Sequence, residues 1–421
     1  HQIMKNFLFT ILLSVITFNN YSQSGTSSPY SFYGVGTSTF KGSIDNRSMA
    51  GLSVYSDSIN LNLTNPASLS ELKRVNYSLG ITYDNLTFKS ENANENSNSS
   101  NVNYLAVGIP TKHFTFAFGV IPQTSVGYLL ESTDETVIPN VIDRYRGEGG
   151  VNTAFFSFGF KLFDKISVGL TTNYEFGNLN HITTRFLEDV ELATRLESNS
   201  SLSGLNNVYS LLFREKISNK LILHATYISS QKFELGSNNT QTLSTYSLTN
   251  QYGGDEEIID LGAMNLEKTE ITVPKFQTFG LGLGVDTKWF VGAEYKLVDG
   301  GGLNNKLFEL DNVEFKKGSK FSFGGFYIPK YDSFTNFFSR LVYRAGLRVE
   351  DTGLQIDNQS IKEVGFNFGF GIPFQGFSSV NLGFEVGKRG TTNAGLIQEN
   401  FFSVRLGMSL SDLWFVKNKY N

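Results

Sequence analysis

The feature that most restricts this sequence is a two-residue alternation of apolar and small polar side chains, sustained over about ten residues at a time. Residues 364–374 place Val364, Phe366, Phe368, Phe370, Ile372 and Phe374 on one face, against Gly365, Asn367, Gly369 and Gly371. Residues 380–387 repeat the pattern with Val380, Leu382, Phe384 and Val386 against Asn381, Gly383, Glu385 and Gly387. Residues 402–410 and 166–177 do the same. A period of two means strand. Strands of soluble sandwiches average five or six residues, so these are long. Their polar faces carry Gly, Asn, Ser and charges of both signs.

Fourteen such strands are predicted, at 75–89, 101–109, 113–131, 151–162, 166–178, 207–217, 220–232, 274–286, 288–298, 319–330, 339–350, 362–373, 378–388 and 400–412. Short turns such as Phe163-Asp164-Lys165 and Ser218-Asn219 alternate with long connections at 90–100, 132–150, 179–206, 233–273, 299–318, 351–361 and 389–399. Alternation of short turns with long loops marks an outer-membrane barrel. The expected fold is therefore all-β: a 14-stranded antiparallel transmembrane β-barrel. Lipid is then a partner, with Phe366, Phe368, Phe370, Leu382, Phe384, Val404 and Leu406 facing it.

Composition agrees. Aromatic residues make up 14% and charged residues 18% of the chain, the latter below the usual quarter. There is no Cys, which excludes a disulfide scaffold and thiolate metal sites. A net charge of -4 gives no footprint for nucleic acid. Lys5 followed by the apolar run Phe7 to Phe18 reads as a secretory signal peptide over 4–22, too short to span a bilayer core. Residues 23–74 are too irregular for wall and too polar for lipid. They are expected to fill the lumen as a plug, with the barrel over 75–421.

The stretch Ser48 to Leu69, ending in Asn65-Pro66-Ala67, resembles the N-terminal hatch of the FadL-type hydrophobic-compound transporters. The opening SPYSFYGVG, Ser28 to Gly36, is similar to Bacteroidota members of that group. The resemblance implies a 14-stranded barrel plugged by its N-terminal segment, with Asn65, Pro66 and Ala67 as the hatch motif. It implies passive uptake of a hydrophobic small molecule, leaving through a gap where the third strand kinks. Here Gly119-Val120-Ile121-Pro122-Gln123 puts a proline in that strand, where its missing N–H must break the ladder. Gly119, Pro122 and Gln123 are the expected lateral opening. The same superfamily holds barrels that transport nothing, including the type IX secretion shuttle barrel. A non-transporting accessory subunit of a Bacteroidota outer-membrane protein export or barrel-assembly complex is therefore the alternative, its partners being other subunits. The sequence departs from the transporters in its loops. Loop 233–273 is polar and acidic, and 179–206 carries Phe186, Leu187, Val190, Leu192 and Leu196, which suggest a short amphipathic helix.

Enzyme chemistry is not expected. His113, His181 and His224 are scattered over a turn, a loop and a strand. No G-x-S-x-G or H-E-x-x-H occurs, and Gly383 to Lys388 has the wrong spacing for a phosphate loop. No catalytic residue, metal or cofactor is proposed. Lys161, Glu175, Arg214, Lys296 and Glu350 fall on lumen faces, as do Glu294, Arg344, Arg348, Glu385 and Arg405. The last five are expected to form a charge-paired network that braces wall and hatch, because unpaired lumen charges are costly.

Overall fold

The structure, a computed structural model, describes residues 25–412 except 92, 219, 248–251, 309, 311, 334 and 375–377. The expected signal segment 4–22 lies outside the described residues.

Fourteen antiparallel strands form one closed wall. The first six are β1 (Val75–Lys89), β2 (Asn94–Pro110), β3 in two pieces (Phe114–Pro122 and Thr124–Asp134), β4 (Val141–Phe163), β5 (Ile166–Leu187) and β6 (Leu192–Lys216). Next come β7 (Ile222–Ser230, then Phe233–Ser247), β8 (Lys268–Val273, then Phe276–Val285), β9 (Trp289–Val298) and β10 (Gly318–Tyr327). The last four are β11 (Val342–Ile356), β12 (Gln359–Pro373), β13 (Ser379–Arg389) and β14 (Gln398–Asp412). The wall closes where β14 pairs with β1, from Val75↔Asp412 to Lys89↔Gln398.

Alternation sets which face looks outward. Phe366 and Phe402 are 51% and 44% exposed, while Asn367 and Glu385 between them are fully buried. An apolar skin of this kind faces hydrocarbon rather than water.

Several expected loops are strands. β4, β5 and β6 run 23, 22 and 25 residues, where about 9–11 tilted residues cross a bilayer. Their upper halves form hairpins beyond the apolar band. The stretch 179–206 is one of these hairpins and not an amphipathic helix. Polar 94–100 is likewise strand, paired with β1. Within 233–273, Tyr252–Ile258 folds back on β7 as an added strand. Ser, Asn and Thr have weak strand preference on their own. Here cross-strand partners hold them extended.

The lumen is filled. Plug residues Ile44, Leu61, Leu69 and Leu72 pack on Tyr104, Ala106, Ala117, Ile121 and Phe155. Met49, Leu52 and Val54 pack on Phe290, Phe326 and Ile328. Val35 joins Val126, Tyr128, Leu179, Leu202 and Ile271 near the outer end. Each such buried side chain contributes on the order of 1.5–3 kcal/mol. Wall glycines admit this approach. A Cβ at Gly169 would lie 2.2 Å from Ala67 N, and one at Gly346 would lie 2.6 Å from Ala50 N. From outside, the connection after β9 folds inward. Leu303 N donates to Thr272 O at 2.7 Å, and the Phe308 ring sits 4.1 Å from that of His181.

Candidate functional site

Three features on the inner wall hold the plug, and the first is the break in β3. The β2–β3 ladder runs only from Pro110↔Thr115 to Leu105↔Val120. Above that level the outer piece of β3 leaves β2 and pairs instead with the plug, through Thr37↔Ser125 and Ser38↔Thr124. Thr39 N donates to Gln123 O at 3.1 Å, and Thr39 Oγ1 donates to Pro122 O. Gln123 N donates across to Val151 O at 2.7 Å. The carbonyls freed at Pro122 and Gln123 are therefore satisfied by the plug and the Gln123 N–H by β4, as backbone at membrane depth requires. Gly119 lies below the break, where a Cβ would come within 2.2 Å of Leu105 O. Beside this break lies a cavity of about 150 Å³ lined by Thr37, Ser38, Asn101, Arg47, Arg405 and Pro122 among others.

The second feature is ionic. Glu385 on β13 accepts from three guanidiniums. Arg348 Nη2 and Arg405 Nη1 each stand 2.7 Å away, and Arg47 of the plug stands 2.8 Å away. Arg348 also binds Glu363 and, at 3.3 Å, Glu350. Glu363 meets Arg389 at 2.6 Å, and Arg389 reaches Glu399 at 3.4 Å. Glu399 accepts from Ser28 Oγ at the other end of the plug. Charges this deep are tolerated because opposite signs and hydrogen bonds surround each one. Of the five residues picked from sequence, the structure joins Arg348, Glu385 and Arg405. It keeps Arg344 apart, donating to Asn381 Oδ1 at 2.8 Å. Glu294 is also separate and accepts from Ser53 N and Oγ at 2.8 and 2.7 Å.

The third feature is the Asn-Pro-Ala turn, which caps a 3-10 helix over Pro66–Glu71. Asn65 Nδ2 donates to Thr226 Oγ1 at 3.0 Å, and Ala67 N donates to Ser210 Oγ at 2.7 Å. Glu71 at the helix end meets Lys161 and Arg214 at 2.8 and 3.2 Å. These contacts sit toward the short-turn end of the barrel. Elsewhere in the plug, burial pulls the Lys41 ammonium down to about 8.

Sequence reasoning missed Arg47, Glu363, Arg389 and Glu399, and it missed the strand Thr37–Ser38. Glu363 and Arg389 lie in phase with the inward faces of β12 and β13, so alternation alone could have found them. Two residues of strand carry no period and could not be found that way. His224 is buried among Tyr55 and Phe290, and His181 bonds Tyr128 at 2.5 Å. His181 lies on β5 rather than in a loop. Among the described residues no group of three or more His, Asp and Glu side chains could hold a metal.

A closed 14-strand wall sealed by an internal N-terminal segment is the fold of the FadL-type channels. Solved structures agree. The Pseudomonas putida toluene transporter TodX is 17% identical, with 89% of this chain and 98% of that chain covered and a TM-score of 0.56. The CymD monoaromatic hydrocarbon channel is 14% identical, with 89% and 99% covered and a TM-score of 0.56. A Pseudomonas aeruginosa FadL homologue is 11% identical, with 90% and 98% covered and a TM-score of 0.50. No curated protein sequence matches. Within this class the chain belongs to the BamG family, whose model matches residues 3–421.

Proposed function

We propose that this chain is an outer-membrane barrel that works as a non-transporting accessory subunit of a Bacteroidota protein-export or barrel-assembly complex. The observation that carries this reading is the filled lumen. The plug packs on the wall around the circumference, and its strand Thr37–Ser38 occupies the lip of the gap. The space behind that lip is about 150 Å³ and faces Arg47, Arg348, Arg389 and Arg405. Phe40, Ile44, Leu86, Val102 and Phe401 share that lining, and a hydrocarbon entering there would bear the cost of desolvating the charged part.

A second reading is favoured by the shared fold and by the break at Pro122–Gln123. In it the plug shifts, a hydrophobic small molecule passes down the lumen, and it leaves through the gap beside Pro122 into the membrane, driven by its own gradient. One experiment separates the two. The barrel is extracted in mild detergent from the cells that make it and run on gel filtration. The same barrel is then assayed for toluene flux in vesicles. A partner comigrating in fixed stoichiometry, with no flux above that of empty vesicles, is the accessory outcome. Flux by a monomeric barrel overturns it in favour of uptake.

A further inference from the structure

On the lipid-facing side of β5 the rings of Tyr174 and Phe176 stack, with centroids 5.8 Å apart and planes 18° apart. The same face continues upward, beyond the apolar band, as Asn178 and Asn180. Asn178 is in register with Ser201 of β6 and Asn180 with Asn199. Those two are in turn in register with Asn238 and Thr240 of β7. Six amide and hydroxyl side chains thus form two rows across three strands. Neighbours along a row are spaced at about 4.8 Å and the rows at roughly 6.8 Å, by strand geometry. Five of the six are exposed and Asn180 is half-buried. Ser201 Oγ donates to Asn178 Oδ1 at 2.8 Å. The arrangement recurs across the barrel. Above exposed Tyr83, Asn85 Nδ2 donates to Asn98 Oδ1 at 2.7 Å, and Thr87 Oγ1 donates to Asn96 Oδ1 at 2.8 Å.

We propose that these two uncharged grids dock the saccharide headgroup of an outer-leaflet glycolipid. Each amide or hydroxyl both donates and accepts, which suits a ring bearing several hydroxyls at similar spacing. The aromatic faces just below offer a platform for the apolar faces of a sugar, and tyrosine spans an apolar body and a wet tip. Immediately beneath, the wall is apolar and takes the acyl chains. A ligand that is hydroxylated above and hydrocarbon below matches this continuous surface. A free polysaccharide would leave the apolar wall beneath unused, and a phospholipid would leave the grid unused. Neighbouring rim positions on β3 and β4 carry the pairs Glu131–Arg144 and Glu148–Arg146. The six side chains of the β5–β7 rows are themselves uncharged, and charge lies at their border: Asn180 Nδ2 donates to Glu197 Oε1 at 3.2 Å, and Lys268 of β8 is in register with Asn238.

The inference rests on the outer-membrane placement of the barrel and not on what the plug does. The test uses the full chain in detergent micelles, with two probes: lipopolysaccharide bearing its sugar core, and the same lipid A stripped of sugars. Bound lipid is counted by native mass spectrometry. The wild-type barrel is expected to prefer the sugar-bearing lipid by about tenfold. Asn178→Val with Ser201→Val and Asn238→Val, which keeps strand preference, is expected to lower that preference. Adding Asn85→Val and Asn98→Val is expected to abolish it. Heat-modifiable migration on a gel confirms that each variant is a folded barrel. Equal retention of both lipids by the wild type, or an undiminished preference in the folded combined variant, overturns the proposal. A wild-type barrel that fails to insert into lipid vesicles overturns the placement itself, and the docking with it.

Discussion

Arg47 and Glu385 stand 338 positions apart in the chain and meet fork to fork, Nε to Oε2 at 2.8 Å and Nη2 to Oε1 at 3.0 Å. This bidentate geometry is the strong form of a carboxylate–guanidinium contact. It ties the plug's short helix, Ile44–Arg47, to the middle of β13. The same carboxylate holds Arg348 and Arg405, so plug and wall share one anion.

The first prediction follows from that sharing. Glu385→Ala leaves three buried guanidiniums facing one another, and breaking such a network costs about 3–5 kcal/mol. Arg47→Ala removes only the plug's arm and keeps the wall pairs. Glu385→Ala is expected to lower the denaturant midpoint of the barrel. Arg47→Ala is expected to leave the midpoint nearly unchanged while producing brief conductance bursts in planar bilayers. A quiet, closed Arg47→Ala channel would show that apolar packing alone retains the plug.

The second prediction concerns the outer skin. Phe368 and Phe384 stack on adjacent strands with centroids 5.0 Å apart, on the face turned from the lumen. Phe368→Arg is expected to destabilise the barrel by roughly 2–4 kcal/mol, as for a charge near the bilayer midplane. Single cysteines placed at 368 or 384 are expected to resist a membrane-impermeant maleimide. The chain has no native cysteine to confuse that readout.

Most of the wall was legible because each strand must alternate to sit between lipid and lumen. Phe366, Phe368 and Phe370 against Asn367 and Gly369 state that condition outright. The upper hairpins were not legible. Ser198-Asn199-Ser200-Ser201 reads as loop by composition and is strand only through its registered partners on β5 and β7. The lumen charges could be assigned a face but not a partner. Arg344 and Arg348 lie four residues apart on the same face, yet one meets an amide and the other three carboxylates. The plug carries no period, so the role of Arg47 could not be read from its neighbours.

Removing the plug gives the third prediction. Deleting 25–72 strips the inner wall of Ile44, Met49, Leu52, Leu61 and Leu69, all nearly fully buried, and leaves inward glycines such as Gly169 and Gly346 facing water. The wall ladders run from strand to strand without these residues, except at the outer piece of β3, whose edge pairs with Thr37–Ser38 of the plug. A folded barrel with a large steady conductance is expected in planar bilayers. Conductance equal to that of the intact chain would mean that the plug does not close the lumen.

The last prediction locks the plug across the break in β3. At Gly25 the chain touches both lips. A Cβ there would lie 3.3 Å from Ser125 Cβ on β3 and 3.3 Å from Asn101 Oδ1 on β2. Disulfides favour Cβ separations of about 3.5–4.5 Å, so Gly25→Cys with Ser125→Cys needs a shift of a few tenths of an ångström to close. The bond would pin the plug's entry to the outer piece of β3, beside the ladder Thr37↔Ser125 and Ser38↔Thr124. If the barrel passes apolar molecules through this gap, the plug strand must peel away from β3. Oxidation would then abolish toluene flux, and dithiothreitol would restore it. If the barrel is an accessory subunit, this contact is permanent. The oxidised and reduced forms would then give the same negligible flux and the same partner stoichiometry. The second outcome is expected here, because every backbone group freed at Pro122 and Gln123 already has its partner in Thr39 or Val151. Peeling the strand away would expose the Pro122 and Gln123 carbonyls at membrane depth, where each costs several kcal/mol.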